Sequence, residues 1–179
     1  LTVSGTTAVN GGSITTSGAQ TYTGAVTLGA DTRLTASTAT FNGNINGAYG
    51  VAITGNAVLG DSATDTVNLS GSGKNLTVSG TSRINAGTVT TSGSQVYTGA
   101  LTIGSNVSLV GNGMTFGASI GGASSHQLTL ANSGTTTLSG ALDSSVSVVG
   151  GGLNGTAAPR QATSYPVLVA MLSRQNPPR

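Results

Sequence analysis

Cysteine, tryptophan and glutamate are absent from the 179 residues, histidine occurs once, and only 6% of the chain is charged. Each shortage excludes something. Without cysteine there is no disulfide framework and no thiolate metal site. One histidine and four carboxylates leave little for acid–base catalysis or for a metal-ligand set. Few of the good helix formers are present, so a helical fold is excluded as well. The longest apolar run, Val167–Leu172, is far short of the roughly 20 residues a membrane-crossing helix needs. What fills the space is small and β-prone: 29 Gly, 29 Thr and 23 Ser, with a mean hydropathy of +0.16. That combination of modest hydrophobicity and a net charge of only +2 differs from the composition of disordered chains. It reads as an ordered, Thr-rich all-β protein.

The charge is unevenly distributed. Residues 1–156 carry Arg33, Lys74 and Arg83 against Asp31, Asp61, Asp65 and Asp143. Residues 157–179 carry Arg160, Arg174 and Arg179 with no acid, together with all four prolines. The pI near 9.4 therefore reflects a few tail residues, and a nucleic-acid partner, which needs clustered cations, is not expected. The chain begins at Leu1, which reads as a processed chain or an excised fragment.

Internal repetition organises the rest. Leu1–Leu34 and Leu76–Leu109 align without a gap at an offset of 75 residues, with 20 identities in 34 positions. Most differences are conservative, as at Val9/Ile84, Ile14/Val89 and Leu28/Ile103, and the register continues to Phe41/Phe116 and Ile45/Ile120. A shorter spacing of 19–20 links Ile14, Leu34 and Ile53, and again Val89, Leu109, Leu128 and Val148. Strand-like runs such as Gln20–Thr23 and Ala25–Leu28 are punctuated by Ser17-Gly18, Gly24, Gly29, Asn42-Gly43 and Asn46-Gly47. Asn42, Asn44 and Asn46 read as ladder or turn residues. An antiparallel sandwich has no reason to repeat apolar positions every 19–20 residues, whereas a parallel β-helix stacks one coil on the next at that interval.

The expectation is a right-handed parallel β-helix over residues 1–156, built from repeats 1–75 and 76–150, with about four coils in each and about eight in all. At about 4.8 Å per coil this makes a rod on the order of 40 Å long. Ile14, Leu34 and Ile53 should stack, as should Val89, Leu109 and Leu128. Such a narrow interior favours small and medium side chains, but Phe41 and Phe116 recur in both copies and are expected in the core.

Val9–Gly12, Thr15–Thr32, Thr40–Ala48 and Thr90–Gly104 resemble the repeats of filamentous-haemagglutinin-like and autotransporter-type bacterial surface adhesins. The resemblance spans roughly residues 1–150. It implies an extracellular, non-catalytic β-helical shaft with adhesive chemistry in other segments; the chain departs from the family pattern in being short and in showing no amino-terminal secretion domain.

His126 reads as a polar turn residue. Asp61 and Asp65 are the closest acidic pair and would be the start of a polysaccharide-cleaving site, but the residues between them read as a turn. Calcium ligation of the glycine-rich nonapeptide kind lacks its aspartates, and Asp31 becomes Asn106 in the second copy. Gly71–Lys74 lacks the order of a phosphate loop. Thr21-Tyr22-Thr23, a candidate ice-binding row, becomes Val96-Tyr97-Thr98. No catalytic residue, cofactor or metal is expected. Ser164–Leu172 reads as a carboxy-terminal cap or as a strand donated to another subunit. Tyr165, Val167, Leu168, Val169, Met171 and Leu172 are its candidate assembly residues. The expected partners are neighbouring repeats of a longer chain or other copies of this one, stacked end to end as a filament, with a host-surface or carbohydrate receptor for the shaft.

Overall fold

The computed structural model describes residues 1–122, 125–150 and 153–155. Among them there are 21 strands, every strand pairing is parallel, and there is no helix to cross a membrane. The chain winds as a parallel β-helix with three strand positions per turn. Seven full turns run from Thr2 to Leu138, and strands of an eighth follow at Val146–Gly150 and Leu153–Gly155.

Three walls result. The first holds Thr2–Val3, Gln20–Tyr22, residues 38–41 and 56–59, Ser82–Ile84, Leu101–Ile103 and Ile120–Gly122. The second is an eight-stranded sheet running from Thr7–Val9 to Val146–Gly150. The third runs from Ser13–Thr15 through residues 32–35 and 51–54 to Leu76–Val78, Gln95–Tyr97, Met114–Phe116 and Thr136–Leu138. The long strands Thr32–Phe41 and Val51–Leu59 bend from the third wall into the first, so these two walls form one thirteen-stranded sheet.

Alternation in each short strand sends every second side chain inward, and parallel pairing stacks those side chains into columns. One column reads Val3, Tyr22, Phe41, Leu59, Ile84, Ile103. Another reads Ile14, Leu34, Ile53, Val78, Tyr97, Phe116, Leu138. The expected stack of Ile14, Leu34 and Ile53 is therefore present. The second expected stack needs correction. Val89 pairs with Leu109, but Leu109 pairs with Leu130, while Leu128 stands on Val107. The spacing is 19 at Ile103/Gly122 and 21 at Val107/Leu128, so two extra residues enter between Gly122 and Leu128 and shift the register by two. The alternation is preserved, and Leu128 still faces the core with no exposure.

The duplication is not the whole number of turns that its spacing suggested. Thr2–Val3 corresponds to Leu76–Val78 and Gln20–Tyr22 to Gln95–Tyr97, eleven strand positions later in each case. At three positions per turn, eleven positions make three and two-thirds turns rather than four. The two copies thus lie on different walls: Tyr22 is in the first wall and Tyr97 in the third. The shortfall is compensated in length by one long turn, which takes 25 residues at Ile53/Val78 and at Leu59/Ile84. Its extra residues form the loops around Gly60–Asp65 and Ser70–Asn75.

Candidate functional site: inter-turn ties and a charged groove

The inner face carries a repeated polar–aromatic unit. Gln20 and Gln95 are both fully buried. The Tyr22 hydroxyl donates to Gln20 Oε1 at 3.1 Å, and that of Tyr97 to Gln95 Oε1 at 2.8 Å. Gln20 Nε2 donates to the Ile14 and Thr35 carbonyls; Gln95 Nε2 donates to those of Val89 and Val110. Each tyrosine ring then stacks on a phenylalanine of the next turn, Tyr22 on Phe41 and Tyr97 on Phe116, with interplanar angles of 11° and 7°. Burial raises the pKa of both phenols. The unit closes its own hydrogen bonds, which a buried glutamine and tyrosine require, and so it works on either wall.

The turns carry a second device. Asp31 Oδ1 accepts the Gly50 N–H of the next turn at 2.8 Å. Asn106, its copy, accepts the Gln127 N–H at 2.8 Å. Asn44, Asn56 and Asn75 likewise accept the N–H groups of Thr66, Thr81 and Ser94 one turn on. The expected ladder role of asparagine therefore holds at Asn44, and Asn46 pairs with Asn68 across the second wall. Small residues make room for this stacking. A Cβ on Gly99 would lie 2.5 Å from the Gly80 carbonyl oxygen and 2.8 Å from the Thr81 nitrogen.

Charge is concentrated at one place on the surface. An open groove of about 400 Å³ crosses the third wall over the first four turns. Its floor is Gly50 and Ala52, and its sides carry Asp31, Arg33, Lys74, Asn75 and Thr77. Lys74 Nζ donates to Asp31 Oδ2 at 2.9 Å, across 43 residues of chain, and lies 5.8 Å from the centre of the Tyr49 ring. The Lys74 hydrogen bond and then the Gly50 N–H hold the Asp31 carboxyl below the usual carboxylate range. Arg33 donates to Thr54 Oγ1 at 3.2 Å, and the only ion pair among the described residues is Lys74–Asp31. The loop Ser70–Asn75 brings Lys74 to the groove, and nothing in the linear spacing places that residue beside Asp31.

The other singled-out residues lie elsewhere. Asp65 Oδ2 accepts the N–H groups of Asp61 and Ser62, so this acidic pair builds a turn. His126 opens strand His126–Asn132, half-buried, with its N–H on the Ser145 carbonyl. Thr2, Thr21 and Thr40 form an outward row that Val58 and Arg83 interrupt. No cluster of three or more His, Asp or Glu stands ready for a metal among the described residues. Tyr165, Val167, Leu168, Val169, Met171 and Leu172 lie outside the described residues.

These features define a class, the parallel β-helices or β-solenoids. No family model, curated protein or solved structure matches the chain.

Proposed function

We propose that the chain is a non-catalytic shaft segment of an extracellular bacterial surface protein, a rod that spaces or presents other parts of the assembly. The observation that carries this reading is the continuity of the stack. Inner columns run unbroken from Val3 to Ile103 and from Ile14 to Leu138. Every turn is tied to the next by backbone ladders, and several also by Asp or Asn side chains reaching one turn ahead. In a solenoid the stability is a sum over neighbouring turns, so length is extended without redesign. The resemblance of the repeat texture to bacterial adhesin repeats points the same way. Antiserum raised against the chain should label intact cells of its source, and the purified chain should release no reducing ends from polysaccharides. Labelling only after permeabilisation, or cleavage of a polysaccharide, contradicts the reading.

A second reading, a filament in which copies stack end to end, is favoured by the state of the first and last turns. Among the described residues, Leu1, Leu142 and Val149 are the large apolar side chains left exposed. Val3 and Ile14 are half-buried, whereas their copies Val78 and Val89 are closed off. Leu76–Val78 rests on Val51–Ile53, so a turn of that kind would fit against Leu1–Val3, supplied by a longer chain or by another copy. Sedimentation of the full chain at high micromolar concentration tests this; a strict monomer rules out the filament and leaves the shaft.

A further inference from the structure

We propose that the groove bounded by Arg33, Asp31 and Lys74 is a binding site for a carboxylate-bearing saccharide chain. The inference stands apart from the shaft reading, because it rests on the groove alone.

The duplication supplies an internal control. Asp31 and Asn106 do the same job, each accepting a backbone N–H one turn on: that of Gly50, just before strand Val51–Leu59, and that of Gln127, inside strand His126–Asn132. Around that shared point the backbone repeats: Arg33 pairs with Ala52 and then Thr77, as Ser108 pairs with Thr129 and then Val149. In the second copy, Asn106, Ser108, Gln127, Thr129 and Val149 are uncharged, and the floor positions Gly50 and Ala52 are replaced by the longer Gln127 and Thr129. The scaffold therefore needs neither the charges nor the small floor. Asp31, Arg33 and Lys74 are nonetheless three of the seven charged side chains among residues 1–156.

The chemistry of the wall selects the ligand. Arg33 is exposed, donates one hydrogen bond to Thr54, and has no carboxylate partner among the described residues. Its remaining donors suit a bidentate carboxylate. The exposed Asp31 carboxylate retains lone pairs that accept hydrogen bonds from hydroxyl groups, the Asn75 Nδ2 offers donors, since its Oδ1 already accepts from Ser94, and the Thr77 hydroxyl can donate or accept. Lys74 is already held by Asp31 beside the Tyr49 ring, so its remaining N–H donors are placed at little ordering cost, while Arg33 supplies the unpaired positive charge of the groove. Flat glycine and alanine flooring suits a ring lying along the wall. A peptide strand has nothing to pair with here, because residues 33, 52 and 77 each sit between two hydrogen-bonded neighbours.

Titration of the full chain with an oligogalacturonate, followed by calorimetry and amide NMR near physiological salt, tests the proposal. The expected result is saturable binding that shifts the Gly50, Ala52 and Thr77 amides. Arg33→Ser, which installs the second copy's residue at an exposed position, should weaken binding roughly tenfold or more. Arg83→Ser, on the first wall, should leave it within about twofold. Equal binding of a neutral galactan oligosaccharide, equal loss in Arg83→Ser, tighter binding of an oligoglutamate peptide at the same amides, or no binding of the oligogalacturonate would each overturn it. None of these results touches the cell-labelling test of the shaft.

Discussion

Tyr97 lies flat on Phe116 of the next turn, with ring centroids 5.7 Å apart, and Phe116 is 1% exposed. The pair sits mid-column between Val78 and Leu138. Phe116→Ala removes a buried ring and half of a stacked pair, and should cost about 3–5 kcal/mol. Because coupling in a solenoid is mainly between neighbours, hydrogen exchange should rise first in the turns holding Tyr97 and Leu138. An unchanged urea midpoint would remove Phe116 from the load-carrying column.

The same unit makes the fold sensitive to alkali. The pKa of Tyr97 is raised in the folded state by burial, so the neutral phenol is favoured there. A raised folded value means that the stabilisation is complete below the unfolded pKa of about 10 and is lost as pH rises above it. Tyr97→Phe should be less stable at neutral pH by about 1–3 kcal/mol, because Gln95 Oε1 loses its donor. Between pH 9 and 11, however, its urea midpoint should fall less than that of the parent. Parallel declines would contradict this role for Tyr97.

Glycine stacking at the turns gives a sharper contrast. Gly99→Ala forces a Cβ into the Gly80 backbone and should cost about 1–3 kcal/mol. A Cβ on Gly18 meets nothing within 4 Å, so Gly18→Ala should stay within about 0.5 kcal/mol of the parent or stabilise slightly. Thermal melts of the two variants make the comparison.

Thr7 and Ser82 occupy the same place in the two copies, and each has a buried hydroxyl oxygen without a hydrogen-bond partner. Ser82 stands in a column above Ala57. Ser82→Ala should therefore stabilise the fold by up to about 1–3 kcal/mol of recovered desolvation, read as a higher melting temperature. A clear loss would mean that the hydroxyl has a partner in solution.

Much of this architecture was readable from spacing because most turns are equal in length. Ile14, Leu34 and Ile53 could be assigned to one column for that reason. The method fails where a loop lengthens: two residues before Leu128 moved it onto Val107, and the 25-residue turn between Ile53 and Val78 concealed the rotation of the copies. The recurrence of Phe41/Phe116 marked the core, but not the tyrosine and glutamine that complete the unit, since Gln20 and Gln95 look like surface residues in a strand. The groove was invisible for a different reason. Asp31 and Lys74 are far apart in sequence, and only the folding of Ser70–Asn75 across the third wall joins them.

The central claim is that the second copy is offset by three and two-thirds turns, and one cross-linking comparison in this cysteine-free chain tests it directly. In the structure Thr77 stands on Ala52, and Arg83 on Val58. Had the 19-residue spacing continued unbroken, Thr77 would stand on Val58 instead. The double variant Ala52→Cys/Thr77→Cys should form an intramolecular disulfide on mild oxidation, since adjacent parallel strands lie within bridging distance. Val58→Cys/Thr77→Cys should remain reduced. Efficient closure of the second pair and failure of the first would contradict the offset and return the molecule to a plain four-turn repeat.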